Sequence, residues 1–203
     1  MHRQQFCQKF LSKSLPKSLH FKRAKCLTNI IESIQGYSKN ISINEIGRHL
    51  QRNTDLKHKI KTVDRFVGNG KINADIPDIC AGIANFVYSD FRELCVLIDW
   101  SGCCQKNMFV LQASVAFKGR SLPIYASIHH QKDTENVVVH DDFLEKLYEI
   151  IPKNIKVTIV TDAGFHRDWF VKVKSLGWEF IGRVYSKYYY KLENTNNWRK
   201  VAQ

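Results

Sequence analysis

Two aspartates stand directly after apolar, β-branched runs, and carboxylates in that position can do chemistry. Asp99 closes the run in "LCVLIDWSG", residues 94–102, and Asp162 closes the run in "KVTIVTDAGF", residues 156–165. A short apolar run bounded by turn residues is typical of a strand in the core of a sheet, where an unpaired carboxylate is costly to bury. Each aspartate is therefore expected at the end of a strand, held by a partner or a metal or aimed at a ligand.

The chemistry that such a pair of carboxylates could support is metal-dependent. Two carboxylates held close together repel each other, and divalent cations between them relieve that repulsion. Their hard oxygens suit Mg²⁺ or Mn²⁺, and paired ions can activate a water or a 3′-hydroxyl at a phosphodiester while stabilising the leaving oxygen. The alternative is that either aspartate caps a helix, and for Asp162 the strand-to-helix turn in "TDAGF" favours that alternative.

The elements that would position the two aspartates lie in the second half of the chain. Changes in periodicity predict this order: strands at 94–100, 109–117 and 120–129, a helix at 140–151, the strand that ends at Asp162, the helix "RDWFVKVKSLG" and the strand "WEFIGRV". The fold class is α/β with a mixed sheet. The order β-β-β-α-β-α-β is that of the ribonuclease H-like arrangement, in which the first and fourth strands are neighbours. Asp99 and Asp162 would meet there, although 63 positions separate them.

The first half of the chain predicts helices. Residues 20–35 carry one apolar stripe, formed by Phe21, Ala24, Leu27, Ile30, Ile31 and Ile34. A capping box at Ser42 and Glu45 begins a helix over 42–50, and a third helix over 56–67 has Leu56, Ile60, Val63 and Val67 inward. A further helix covers 76–88. A short helix, a tight turn and a helix with a basic outer face is the outline of a helix-turn-helix, although any small basic helical bundle gives the same pattern.

The charge of the chain indicates a polyanionic partner. The net charge is +12, and residues 1–65 hold 14 of the 31 lysines and arginines but only 4 of the 19 acids. We therefore expect double-stranded DNA to be bound through the front of the chain, while a solvated basic surface is the alternative. The residues expected to grip DNA phosphates are Arg48, Arg52, Lys57, Lys59, Lys61 and Arg65.

Composition also bounds the organisation and the compartment. The hydrophobic fraction of 44% is enough for a core, and we divide the chain into a helical region over 1–70, a connecting helix over 71–93 and a domain over 94–203. Six cysteines without a C-x-x-C pair argue against zinc and for free thiols. No run approaches a membrane span or a signal peptide, so we expect a soluble, cytoplasmic protein.

Five segments, "VLIDWSG", "FVLQASVAFKGRSLPIY", "VTIVTDAGFHRDWF", "LGWEFIGRV" and "EIGRHL…KHKIKTVDRFVGN", together resemble bacterial insertion-sequence transposases of the DDE class, in the group named for insertion sequence four. The resemblance covers the chain from about residue 20. It implies that Asp99 and Asp162 are catalytic and ligate Mg²⁺ or Mn²⁺. It also implies that Arg183 and Lys187, in "RVYSK", approach DNA.

The third acid of that family is a glutamate on a later helix, reached after a long β-rich insertion. The chain ends at Gln203, where that insertion should begin, and Glu193 has none of the surrounding signature residues. The resemblance therefore implies a transposase fragment that binds element ends and target DNA, as a homodimer or with full-length transposase, and is inactive alone. The alternatives are a non-catalytic DNA-binding fragment that represses transposition and a decayed remnant that folds poorly.

Overall fold

The chain folds as two units that divide between Tyr88 and Ser89. A computed structural model describes residues 3–36, 41–103, 105–185 and 187–201. The first unit is helical over its described residues, with α1 (Arg3–Ser14), α2 (Phe21–Gly36), α3 (Ile43–His49), α4 (Leu56–Val67) and α5 (Gly70–Tyr88). The last of these begins six residues before the predicted position and has Pro77 within it.

The core of the first unit joins α2, α3 and α4. Ile30, Leu50 and Val63 are buried together, and Cys26, Ile34, Ile46 and Phe66 pack against them. The inward face predicted for α4 is therefore wrong at both ends, because Leu56 is 48% exposed and Val67 is 60% exposed. Phe66 takes the inward position that the helical pattern gave to Val67.

Two close contacts fix neighbouring helices of the first unit. Arg23 on α2 forms a two-pronged ion pair with Asp75 on α5, with Nε 2.5 Å from Oδ2 and Nη2 3.1 Å from Oδ1. Gly47 on α3 faces the backbone of Ile60 on α4, so closely that a Cβ at position 47 would lie 2.7 Å from the Ile60 Cα. These contacts hold α2 against α5 and α3 against α4.

The second unit contains a five-stranded mixed sheet in the order β3-β2-β1-β4-β5. Its strands and helices follow the chain in this sequence: β1 (Glu93–Gly102), β2 (Met108–Phe117), β3 (Arg120–His130), a single 3₁₀ turn (Gln131–Asp133), α6 (Val137–Ile150), β4 (Lys156–Thr161), α7 (Arg167–Ser175) and β5 (Glu179–Gly182). A separate two-stranded sheet pairs β6 (Tyr189–Tyr190) with β7 (Arg199–Lys200). The predicted α/β class with a mixed sheet is confirmed.

The strands of this sheet alternate between a covered and an open face. β1 is antiparallel to β2 and parallel to β4, which is in turn parallel to β5. Val96 and Ile159 are fully buried on the face that packs against α6 and α7, while Leu97 and Ile181 on the other face are 37% and 63% exposed. This alternation is the period of two that pleated strands impose. Of the helices described in both units, none is long and apolar enough to cross a bilayer.

Candidate functional site

Asp99 and Asp162 lie side by side at one edge of the sheet. The parallel register of β1 and β4 pairs Ile98 with Thr161, and one residue further along each strand stand the two aspartates. Neighbouring strands in a sheet are about 4.8 Å apart. Both aspartates are exposed, whereas Ile98 and Thr161 are buried. The structure therefore brings together two carboxylates that are distant in sequence, one residue beyond the last pair of the parallel β1–β4 ladder. Asp162 directly follows β4, as predicted, whereas β1 continues beside β2 for three more residues to Gly102, so the prediction that Asp99 ends its strand is wrong.

The carboxylate of Asp162 is partly held by its own turn. Its Oδ1 accepts a hydrogen bond of 2.9 Å from the backbone N–H of Gly164. The following helix, α7, begins at Arg167 with His166 as its N-cap, so Asp162 does not cap it. The helix-capping alternative is wrong for this residue, and Oδ2 remains available for a ligand.

One uncharged and one basic residue stand next to the two aspartates in the sheet. Gln112 on β2 is directly opposite Asp99, and its Nε2 donates to Ser114 Oγ at 3.0 Å. On the other side, the backbone N–H of Arg183 donates to Thr161 O at 3.1 Å, directly after β5. Within the described ranges neither aspartate forms an ion pair. Because both side chains are exposed, their carboxylates are open to solvent and to a bound cation.

The donor set fits Mg²⁺ or Mn²⁺. Mg²⁺ is commonly held by one or two carboxylates, with waters and substrate phosphates completing its shell. Asp99 and Asp162 provide two such carboxylates, one residue beyond the last pair of the β1–β4 ladder. Of the residues that the structure describes, no group of three or more histidines, cysteines or acids is placed to hold a metal ion. The two aspartates therefore provide no closed protein cage, and a metal ion held by them would take most of its ligands from water.

A buried aromatic layer lies beneath this edge, and the sequence pattern did not reveal it. His140 on α6 is buried, its Nε2 donates to Thr134 O at 3.0 Å, and its ring centroid is 6.1 Å from Trp100 and 5.2 Å from Trp169. Burial lowers the pKa of His140, against the smaller effects of the Thr134 carbonyl and of Asp141, which raise it. His140 is therefore a neutral packing residue that supports the strand ends.

Three buried polar atoms of that layer have no hydrogen-bond partner among the described residues: Trp100 Nε1, Thr161 Oγ1 and Trp169 Nε1. Two of them belong to residues adjacent in sequence to the aspartates. An unpaired buried polar atom costs free energy, and an ordered water is the usual partner of such atoms. Sequence spacing could not reveal the cluster, because it depends on packing between α6, α7 and the sheet.

The candidate DNA-binding residues of the first unit do not form one continuous surface. Lys57, Lys61 and Arg65 are exposed and recur every four residues, so they form one stripe on α4. Lys59 is half-buried on another side of that helix. Arg48 and Arg52 are exposed but already have partners, with Arg48 Nη1 3.4 Å from Glu45 Oε1 and Arg52 Nη1 donating to Thr62 Oγ1 at 2.8 Å. The stripe of three is the surface best placed to contact phosphates.

The basic residues of the second unit lie at and beyond the end of β5. Arg183 is exposed, and the register that pairs Thr161 with Gly182 places it beside Asp162. Lys187 is exposed between two aromatic rings, with its Nζ 5.4 Å from the centroid of Tyr185 and 5.5 Å from that of Tyr188. Glu193 is exposed in the connection between β6 and β7, outside the five-stranded sheet.

Comparison with known proteins adds no family assignment. No family model matches the chain, no curated protein matches it, and no solved structure matches it.

Proposed function

We propose that these residues belong to a DDE-type transposase, whose helical unit binds DNA and whose α/β unit contributes two acids of a metal-dependent centre for cutting and joining DNA. The observation that carries this proposal is the register of β1 and β4, whose parallel pairing ends at Ile98 and Thr161 and leaves Asp99 beside Asp162. Sheets with parallel strands bind ligands at the carboxyl ends of those strands, and Asp162 stands directly after β4 with Asp99 at the same level on β1.

The strand order supports a ribonuclease H-like fold for the second unit. Three strands linked by short connections are followed by a helix, a strand, a helix and a strand, and the sheet has β1 at its centre between β2 and β4. A ribonuclease H-like arrangement would likewise make the first and fourth strands neighbours. A fold alone does not define an activity, so the aspartate pair is the functional part of the argument.

Asp99 and Asp162 would hold Mg²⁺ or Mn²⁺, which when bound supplies Lewis-acid stabilisation at a phosphodiester. Asp162 is oriented by its hydrogen bond from Gly164, and Asp99 is fixed by the pairing of β1 with both neighbours. Arg183 lies beside Asp162 and would attract a DNA phosphate towards them. Because only two acids meet among the residues that the structure describes, we expect the chain by itself to cleave DNA very slowly or not at all.

Metal binding tests the site directly. Mn²⁺ titrated into the full chain and followed by electron paramagnetic resonance should show a bound fraction that Asp99→Asn and Asp162→Asn each weaken about tenfold or more. Asp90→Asn is the matched control, since Asp90 is also an exposed aspartate of the second unit. Equal Mn²⁺ affinity in all four proteins would refute the proposed site. Rapid cleavage of element-end DNA that Asp99→Asn abolishes would instead refute the expected inactivity.

DNA binding by the first unit can be measured separately. If Lys57, Lys61 and Arg65 each contact a phosphate, changing all three to glutamine should lower the slope of log K against log salt by about 2.7. The control replaces the exposed Lys9, Lys13 and Lys17 with glutamine, which removes the same charge from the same unit. An equal loss of slope in both triple variants would mean that the unit attracts DNA through its overall charge and not through α4.

A second function is DNA binding without catalysis. It is favoured because the stripe on α4 needs no further residue to contact phosphates, whereas the proposed metal centre has only two of the three acids of the DDE class. Such a chain would occupy element ends and repress transposition. Retention of terminal-repeat DNA over scrambled DNA at moderate salt, unchanged in Asp99→Asn, would support this role. Equal retention of both DNAs would count against it.

A further inference from the structure

A cleft of about 600 Å³ opens in the first unit between α2 and the connection from α3 to α4. Phe21, Lys22 and Lys25 line it on the α2 side, and residues 50–54 line it on the other side. Its volume falls within the roughly 300–1,000 Å³ that small-ligand sites occupy. The cleft is separate from the aspartate pair, which belongs to the second unit.

Phe21 is the first sign that the cleft binds a ligand. The helical pattern places this residue on the apolar stripe of α2, yet it is 69% exposed at the cleft. The ring of His20 stacks on it at 5.0 Å between centroids, and Lys22 Nζ lies 5.9 Å from its centroid. An exposed aromatic ring beside cations is the arrangement on which proteins stack unpaired bases.

The cleft is also cationic, and one of its cations is pre-positioned. Lys22, Lys25 and Arg52 line it, and none of the lining residues that the structure describes is acidic. Arg52 Nη1 donates to Thr62 Oγ1 at 2.8 Å, and Thr62 Oγ1 donates in turn to His58 O at 2.8 Å. These bonds hold the guanidinium in place, while its remaining N–H groups are available for a phosphate.

The interior of the cleft is suited to a base edge. Asn29, Gln51 and Asn53 present amides that both donate and accept hydrogen bonds, and the buried Leu50 provides an apolar surface. Burial raises the pKa of the Cys26 thiol, and the positive charge of Arg52 partly opposes that effect. The thiol therefore stays neutral and leaves the cleft's positive charge for an anionic ligand.

We propose that this cleft binds an unpaired nucleotide of a DNA strand, with its base stacked on Phe21 and its phosphates held by Lys22, Lys25 and Arg52. The choice of a DNA strand over a free nucleotide rests on the proposed DNA binding of the same unit through α4. The cleft would give the first unit a preference for DNA with overhangs, gaps or flaps over fully paired duplex.

The test compares the full chain bound to a blunt duplex with the same duplex carrying a short overhang of unpaired thymidines, measured by fluorescence anisotropy. Stacking contributes about 1–3 kcal/mol per base, so the overhang should strengthen binding by at least about fivefold. Phe21→Ala should remove that gain and leave blunt-duplex affinity unchanged, whereas Phe21→Tyr should keep it. Arg52→Gln should lower the salt slope for the overhang DNA by about 0.7.

The matched control is Ile41→Ala, because Ile41 is 74% exposed in the same unit and does not line the cleft. It should retain the overhang preference. No gain from the overhang in the unmodified chain, or an equal loss on both DNAs in Phe21→Ala, would overturn the cleft proposal. Displacement by thymidine monophosphate at concentrations near the dissociation constant of the overhang DNA would also overturn it, in favour of a free nucleotide.

The glutamine variant of Lys57, Lys61 and Arg65 separates this inference from the proposed function. Weaker binding of both DNAs with the overhang preference retained supports both proposals. An unchanged affinity for both DNAs with the overhang preference retained refutes the role of α4, and that preference then supports the binding of a DNA strand in the cleft by itself. Failure of the unmodified chain to bind either DNA overturns both.

Discussion

Replacing Gly47 with alanine tests how closely α3 packs against α4. The added Cβ would lie 2.7 Å from the Ile60 Cα and 2.8 Å from its Cγ1, whereas carbon atoms in favourable contact are about 3.5–4.0 Å apart. The nearer atom belongs to the backbone of α4, so a change of side-chain rotamer cannot relieve the overlap. The two helices must move apart by roughly 1 Å.

The size of the stability change expected for Gly47→Ala follows from two opposing effects. Overpacking a well-filled interface costs about 1–3 kcal/mol, while alanine gains up to about 1 kcal/mol over glycine in a helix. Gly70→Ala is the matched control, because Gly70 begins α5 and a Cβ there would meet nothing within 4 Å. The Gly47 variant should therefore be less stable than the Gly70 variant by about 1–3 kcal/mol, which lowers Tm by at least about 4 °C for a unit of this size.

Two spectroscopic signals allow the units to be followed separately. All four tryptophans, at positions 100, 169, 178 and 198, belong to the second unit, whereas most of the described helix belongs to the first. Gly47→Ala should lower the thermal transition of the far-ultraviolet circular dichroism and leave the tryptophan fluorescence transition unchanged. A Gly47 variant as stable as the Gly70 variant would refute the close approach of the two helices.

Three further predictions follow from the packing of both units. Because burial lowers the pKa of His140 below 6.5, the unfolded chain binds a proton that the folded chain does not once the pH falls below about 6.5. The stability of the second unit should thus decrease with acidification, by at most about 1.4 kcal/mol per pH unit for this residue, and urea titrations of His140→Gln should show a flatter pH dependence. Arg23→Gln leaves Asp75 without its charged partner and should destabilise the first unit by about 1–3 kcal/mol in circular dichroism melts, with partial recovery when Asp75→Asn is added. Alkylation followed by mass spectrometry should modify the exposed Cys95 well before Cys80, whose pKa is raised by burial.

The helices of the first unit were predictable to the extent that their apolar stripes were regular. The bounds of α4 agree with the prediction at both ends, because its apolar and basic residues alternate with a clear helical period. In contrast, α1 was missed, since its buried positions are held by Cys7, Leu11 and Ser14 and give almost no apolar contrast. The early start of α5 was missed because Gly70 follows Gly68 in a pattern typical of a turn.

The aspartate pair was partly predictable for a different reason. An apolar run that ends in an acid indicates a strand end from local sequence alone. That prediction is right for Asp162, which directly follows β4, and wrong for Asp99, because β1 continues for three more residues beside β2. What lies around them depends on register and packing between distant segments: Gln112 faces Asp99 across β1 and β2, and His140 comes from a helix in between. The exposure of Phe21 was unpredictable in the same way, because a helical pattern defines a stripe but not which of its members the neighbouring helices cover.

Packing in the core of the sheet fixes the relative positions of the two aspartates in the candidate metal site. Side chains alternate along β1 and β4, so burial of Val96, Ile98 and Ile159 against α6 and α7 forces the next residues onto the opposite face or into solvent. A slip of one residue between these strands would bury polar groups and expose these apolar residues. The free-energy cost of that exchange strongly disfavours any other register. The apolar residues that contribute nothing to chemistry therefore determine that Asp99 and Asp162 stand at the same level on neighbouring strands, as the proposed metal site requires.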